Sequence, residues 1–222
     1  MKSVTKLLAM AIDGRRGRHW YADVNLAIRE YCLIHGLDPN LFAAILGITS
    51  PRVHVSRNLH LTAEYMRLRK YVNIDEVQFT HRQLEGLMPM VRSGLERYEL
   101  EGAITGPKTS AFAGACLGDL SQVVLDTWMA KALGVPQAKF KSRAVREKAT
   151  DRINEVADML SWEPAEVQAA IWTAAIEADA KRRNAPCLAT MLRTRIDAFK
   201  RSQQITLQQL NVRTVKVERL AQ

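Results

Sequence analysis

Apolar residues recur at three- and four-residue spacing along almost the whole chain, and alternating runs of apolar and polar β-branched residues are nearly absent. The first pattern gives a helix one apolar face, whereas half-buried strands need the second. The sequence therefore predicts an all-α fold. We expect its helices to cover roughly 3–13, 18–35, 39–48, 53–71, 81–101, 108–117, 127–133, 143–160, 163–182 and 187–201.

Charge is concentrated near the C-terminus. The chain of 222 residues has a formal net charge of +9, and residues 181–222 hold ten basic residues against two acidic ones. Such a segment is able to bind a polyanion by releasing counterions from it. A solvated helix end with a frayed tail is the alternative interpretation of the same charges.

Cysteine and histidine usage excludes several classes of protein. Cys32, Cys116 and Cys187 lie far apart without a CxxC pair, so the sequence specifies neither a disulfide framework nor a metal or iron–sulfur cage. The five histidines form no HxH or HExxH pair. We therefore expect no metal and no cofactor, a reduced cytoplasmic location, and no membrane partner because no apolar stretch approaches the ~20 residues of a membrane span.

The segment from Leu100 to Phe112 predicts two helices joined by a tight turn. One helix ends near Gly102, the chain turns through Gly106 and Pro107, and Thr109 and Ser110 lie in the first turn of the next helix. Free backbone N–H groups at a helix N-terminus favour an anion. A DNA phosphate would fit at Gly106, Thr109 and Ser110, although most turns of this kind are only turns.

An amine and an acid flank this region. Lys108 lies in the first turn of a helix, where a cation opposes the helix dipole, and Asp126 follows an apolar run at the start of another short helix. In the simpler interpretation, Asp126 is an N-cap of its helix and Lys108 is a solvated surface cation. Together they also permit a lysine nucleophile of lowered pKa assisted by a carboxylate.

The order Gly106-x-Lys108, an apolar helix and then Val123-x-x-Asp126 resembles the helix-hairpin-helix DNA glycosylases, particularly their oxoguanine glycosylase/lyase branch. Gln168-Ala169-x-Ile171-Trp172 resembles a late-helix segment of the same enzymes. Ile104 departs from the hairpin pattern, which has glycine at that position, and the chain has no sequence for the extra β-domain of some relatives.

This resemblance implies a DNA glycosylase, with or without lyase activity, that everts and removes a modified base such as an oxidised purine from duplex DNA. Lys108 would attack the sugar C1′ with help from Asp126. Gln168 would read the edge of the base, and Phe112 and Trp172 would stack on it. The fold would be a two-lobed helical domain over residues 1–202 with a cleft between the lobes, followed by a basic tail over 203–222.

Two other functions are compatible with the same sequence. A transferase acting on a hypermodified base in phage-type DNA would use the same cleft. The spacing of Ala43, Gly47 and Val53 is also typical of a helix-turn-helix regulator, whose second helix would present Arg57 and Asn58 to DNA. In a glycosylase, the same stretch would supply polar groups that fill the gap left by the everted nucleotide, with Asn58 the best candidate, and Arg57 would also bind DNA. The aromatic residues Trp20 and Tyr21 are able either to stack on bases or to belong to the core.

Overall fold

A computed structural model describes residues 1–51, 53, 55–71, 89–104, 106–182, 197, 200 and 201. Within these residues the regular elements are helices and no strand occurs, so the all-α prediction is confirmed there. The α-helices are α1 (Val4–Asp13), α2 (Trp20–His35), α3 (Pro39–Thr49), α4 (Val55–Tyr71), α5 (Pro89–Glu101), α6 (Pro107–Cys116), α7 (Thr127–Leu133), α8 (Arg143–Leu160) and α9 (Pro164–Arg182).

The helix boundaries agree with the sequence pattern wherever the two are comparable. Eight predicted helices begin and end within about two residues of the observed ones. Two 3-10 helices, Arg15–Gly17 and Gln137–Lys141, were not predicted, because such short elements show no helical periodicity. The start of the predicted helix 81–101, most of 187–201, and the predicted tail 203–222 lie outside the described residues.

The buried residues form two hydrophobic clusters. The first cluster is built mainly from α2, α3, α5 and α6, and its members include Tyr21, Val24, Ile28, Phe42, Ile45, Leu46, Val91, Leu95, Ala115 and Cys116. The second cluster is built mainly from α1, α7, α8 and α9, and its members include Leu7, Leu125, Met129, Leu133, Phe140, Ile153, Val156 and Ile171.

Helix α9 belongs to both clusters. Its residues Ala165 and Ala169 pack in the first cluster, while Val167, Ala170 and Ile171 pack in the second. This explains why α9 has no exposed face over residues 165 to 171, which are all buried, including the polar Glu166 and Gln168. Helix α9 therefore connects the first cluster to the second cluster.

Two glycines allow the chain before α2 to lie directly against α9. A Cβ on Gly14 would lie 2.0 Å from the carbonyl oxygen of Ala170, and one on Gly17 would lie 1.9 Å from Thr173 Oγ1. A larger residue at either position would push the turn away from α9. The close approach fixes where α2 begins, and it therefore fixes the positions of Trp20 and Tyr21.

Candidate active site

Lys108 lies in the first turn of α6, and its amine is turned into the protein. Nζ donates a hydrogen bond of 2.5 Å to Ser50 Oγ and lies 5.3 Å from the centre of the Phe112 ring. Ser50 in turn donates to the carbonyl of Gly47, at 2.8 Å. Burial lowers the pKa of the Lys108 amine, and the negative charge of Asp126 offsets only part of that effect. The amine is thus held in place and partly removed from water.

Asp126 is the N-cap of α7 and is held by both oxygens. Oδ1 accepts a hydrogen bond from the backbone N–H of Met129, at 2.8 Å, and Oδ2 accepts one from Trp172 Nε1, at 3.2 Å. Burial raises the pKa of the Asp126 carboxyl, while the Met129 hydrogen bond and the charge of Lys108 act in the opposite direction. Asp126 is therefore both a helix cap and an acid within electrostatic range of Lys108.

Phe112 lies beside Lys108 and Trp172 donates to Asp126, and both rings pack against a third. We call the four packed aromatic residues the aromatic cluster: Trp20, Tyr21, Phe112 and Trp172. Trp20 packs edge-on against Tyr21 with ring centres 4.7 Å apart, and Tyr21 lies 6.3 Å from Phe112. The cluster joins α2, α6 and α9, and α6 also carries Lys108.

The ring of Trp20 lies against both predicted stacking residues. It is 6.1 Å from Phe112 and 5.9 Å from Trp172, measured between ring centres. Phe112 and Trp172 make no ring contact with each other among the described residues. In this structure Trp20 therefore bridges the two rings that the sequence predicts as the walls of a base-binding slot. Its Nε1 is buried without a hydrogen-bond partner among the same residues.

Gln168 lies beneath the aromatic cluster, on the same side of α9 as Trp172. It is 2% exposed, and its Oε1 accepts a hydrogen bond of 2.7 Å from the Tyr21 hydroxyl. Burial raises the pKa of Tyr21 well above its ordinary value, so the hydroxyl keeps its proton and remains a donor. The Gln168 Nε2 forms no hydrogen bond within the described part of the chain.

The hairpin residues predicted to bind DNA lie at the start of α6. Gly106 is the exposed N-cap, with φ of 95°, and no side chain caps the helix. Ser110 is exposed and its hydroxyl donates to the carbonyl of Gly106, at 3.1 Å. Thr109 is half-buried, and its carbonyl oxygen would lie 3.0 Å from a Cβ on Gly47. The hairpin thus presents Gly106 and Ser110 at the surface, whereas Thr109 packs on α3.

The two residues predicted on α4 differ in their placement. Arg57 is exposed, but Asn58 is 2% exposed. Asn58 Nδ2 donates to the carbonyl of Leu46, at 2.9 Å, and its Oδ1 accepts from Thr49 Oγ1, at 2.5 Å. The expectation that Asn58 faces DNA is not met, because both ends of its amide fasten α4 to α3. A DNA contact at this residue would require those bonds to break.

Sequence reasoning missed Ser50 as the partner of Lys108. The two residues are 58 positions apart, and a serine after an apolar helix is an ordinary feature of a turn. The signal that was available is Gly47, whose missing side chain lets α3 cross close to α6 and places the end of α3 beside Lys108.

Within the described residues, no three histidine, cysteine, aspartate or glutamate side chains gather as a metal site. None of the helices described there is both long enough and apolar enough to cross a bilayer.

Residues 5–180 match a family described as "Family of unknown function (DUF7178)", and the chain belongs to that family. No curated protein matches the chain, and no solved structure matches it.

Proposed function

We propose that this member of the family of unknown function is a base-directed DNA enzyme of the helix-hairpin-helix glycosylase type. The observation that carries the proposal is the Lys108 amine, which is partly desolvated, fixed by Ser50 and within electrostatic range of a carboxylate that is itself held by Trp172. A lysine becomes a nucleophile when its environment favours the neutral amine.

The proposed reaction follows from these two groups. The neutral Lys108 amine attacks C1′ of an everted nucleotide, and the bond from C1′ to the base breaks, with its electron pair leaving on the base. The base takes up one proton. The amine nitrogen loses one proton as it bonds to C1′ and a second as the sugar ring opens, when the bond from C1′ to O4′ breaks, O4′ takes up a proton and an imine remains. Asp126 suits proton transfer because burial raises the pKa of its carboxyl. In its ionised form it would stabilise positive charge on the sugar.

Binding of the base involves the aromatic cluster. An everted heterocycle would displace Trp20 and stack between Phe112 and Trp172, with Gln168 facing its edge. The site would lie in a cleft between two lobes, each built on one of the hydrophobic clusters. The surface at Gly106 and Ser110 would hold a phosphate beside the everted nucleotide, and the exposed Arg57 would add a backbone contact.

A trapping experiment tests the proposal. Duplexes bearing oxidised, deaminated or hypermodified bases are incubated with the full chain and borohydride, then scored for base loss, strand cleavage and covalent adducts. We expect one class of base to be released and the protein to be trapped on that DNA. Lys108→Gln should abolish the adduct, while Lys6→Gln, a change at an exposed lysine of α1, should retain it.

The other outcomes decide against the proposal. Modification of a base without any adduct would indicate the transferase. Binding of one unmodified duplex sequence that is insensitive to Lys108→Gln would indicate a helix-turn-helix regulator.

A further inference from the structure

A basic corner lies at the junction of the 3-10 helix Gln137–Lys141 and α8, and the site described above uses none of its side chains. Residues 137–148 contain five basic residues and one acidic residue, Glu147. Four of these basic side chains are exposed, and we define the basic corner by them: Lys139, Lys141, Arg143 and Lys148.

The corner is held in a fixed shape by the residues between its lysines. Phe140 is buried in the second cluster, which leaves Lys139 and Lys141 on the outside. Arg146 Nη1 donates to the carbonyl of Phe140, at 2.8 Å, and to that of Lys141, at 3.0 Å. Arg146, the fifth basic residue of the segment, thus connects the 3-10 helix to α8. The four residues of the basic corner make no such connection.

The positive charge of the corner is poorly neutralised within the chain. Glu147 accepts a hydrogen bond of 2.6 Å from Arg143 Nε, and the first turn of α8 contains no acidic residue. Lys139, Lys141 and Lys148 have no acidic partner in the described part of the chain. Like charges held together on a rigid surface repel one another, and a bound polyanion removes that repulsion.

The lack of exposed apolar side chains around the corner favours nucleic acid over a membrane or a protein as its partner. None of the exposed large hydrophobic side chains of the described residues lies within 137–148. A membrane-surface helix needs apolar side chains to insert among lipids, and protein interfaces have an apolar centre. Phosphate contacts require only exposed cations at fixed positions.

We propose that the basic corner binds backbone phosphates of duplex DNA. The choice of DNA rests on the proposed function, whereas the binding itself needs neither Lys108 nor a modified base. Phe140, which supports the corner from inside, and Leu125, which precedes Asp126, belong to the same second cluster. The corner is therefore fixed relative to Asp126 by close packing.

The experiment measures binding of the full chain to a labelled duplex of ordinary bases over a series of salt concentrations. The test variant carries Lys139→Gln, Lys141→Gln and Lys148→Gln. The matched control removes the same charge at three exposed basic residues of other helices, with Lys6→Gln, Arg29→Gln and Arg97→Gln. Lys108→Gln and anionic phosphatidylserine vesicles are included.

Each phosphate contact contributes about 0.9 to the slope of log affinity against log salt. We expect the test variant to lower that slope by about 2 to 3 and the affinity at about 0.1 M salt by tenfold or more, with the control variant close to wild type. Lys108→Gln should bind normally, so failed catalysis and failed binding are distinguishable. Equal losses in the test and control variants, no duplex binding by wild type, or binding to vesicles alone would each overturn the proposal.

Discussion

Two acids hold the start of a helix in this protein, and their surroundings differ. Asp126 caps α7, and Glu166 in the first turn of α9 accepts a hydrogen bond of 3.0 Å from the backbone N–H of Glu163. Arg18 also contacts both oxygens of Glu166: its Nη2 donates a hydrogen bond of 2.9 Å to Oε2, and its Nε forms an ion pair of 2.9 Å with Oε1. Asp126 has no guanidinium partner among the described residues, and its nearby cation is the amine of Lys108.

The pKa values of the two carboxyl groups are shifted in opposite directions. Burial acts to raise the pKa of Glu166, but hydrogen bonds from Arg18 and Glu163 together with the charges of Arg18 and His19 lower it overall. At Asp126 burial outweighs the Met129 hydrogen bond and the charge of Lys108, so its pKa is raised. An acid whose burial is fully compensated stabilises the fold, whereas an acid left partly uncompensated beside a desolvated amine is typical of a reactive site.

The largest expected effect comes from removing the amine. Lys108→Gln should lower the rate of base release by about 10³-fold or more, because it removes the nucleophile and leaves the surrounding packing in place. The measurement is single-turnover release of the base that the trapping panel identifies. The matched control is Arg18→Gln, which removes the cation beside Glu166. A similar loss of rate in that variant would show that the two acids do not differ in function.

Exchanging the acids for amides should separate activity from stability. Asp126→Asn keeps an oxygen for the Met129 N–H, so we expect a rate about 10²-fold lower with a free energy of unfolding within about 1 kcal/mol of wild type. Glu166→Gln breaks the paired contact with Arg18 and should lower the free energy of unfolding by about 1–3 kcal/mol with little change in rate. Denaturant unfolding and single-turnover kinetics measure both variants. A lower rate of base release in Glu166→Gln than in Asp126→Asn would contradict the catalytic role given to Asp126.

Ser50→Ala should have a smaller effect on the rate. The hydroxyl accepts the hydrogen bond from Lys108 and holds the amine near Phe112. Without it, the amine samples other positions, and we expect about tenfold slower base release with unchanged affinity for DNA. Ser93→Ala, which removes an exposed hydroxyl of α5, is the control for loss of a serine. An unchanged rate in Ser50→Ala would show that Ser50 does not position the amine.

The smallest effect is a difference in how stability depends on pH. Between pH 3.8 and the raised pKa of folded Asp126, the unfolded chain binds fewer protons than the folded chain, so this group makes stability fall as pH rises. Glu166 does the reverse. Its stabilising contribution is present above pH 4.5 and is lost as pH falls through its lowered folded pKa.

Urea unfolding at a series of acidic pH values, for wild type against Asp126→Asn and Glu166→Gln, measures the two contributions. We expect the difference in free energy between wild type and Asp126→Asn to decrease as pH rises. The difference between wild type and Glu166→Gln should increase. Slopes of the same sign would contradict the assignment of opposite pKa shifts.

The sequence predicted the helices and the nearness of several site residues for identifiable reasons. Helical periodicity and caps are local, so the limits of α7 and α8 agreed with prediction. The positions of Lys108 and Asp126 at the starts of helices were visible because glycine, proline and aspartate mark such places. That the two groups would interact followed from a family resemblance and from no local rule.

The parts that were not predicted depend on contacts between distant segments. The bridging position of Trp20 arises because two glycines let the preceding turn lie against α9, and no periodicity encodes that approach. Asn58 has the polarity of a surface residue, yet the carbonyl of Leu46 and the hydroxyl of Thr49 provide the partners that allow its burial. Such compensation is a property of the packed structure.

The most direct test of the account is the pKa of the Lys108 amine in the free protein. Nuclear magnetic resonance of lysine labelled at Cε, with the Lys108 signal assigned by its loss in Lys108→Gln, measures it. We expect a pKa below the ordinary lysine value of 10.5, and a still lower one in Asp126→Asn, where the acid that raises it is gone. A pKa at or above 10.5, or one that does not respond to Asp126→Asn, would show that Lys108 is an ordinary surface amine and not the proposed nucleophile.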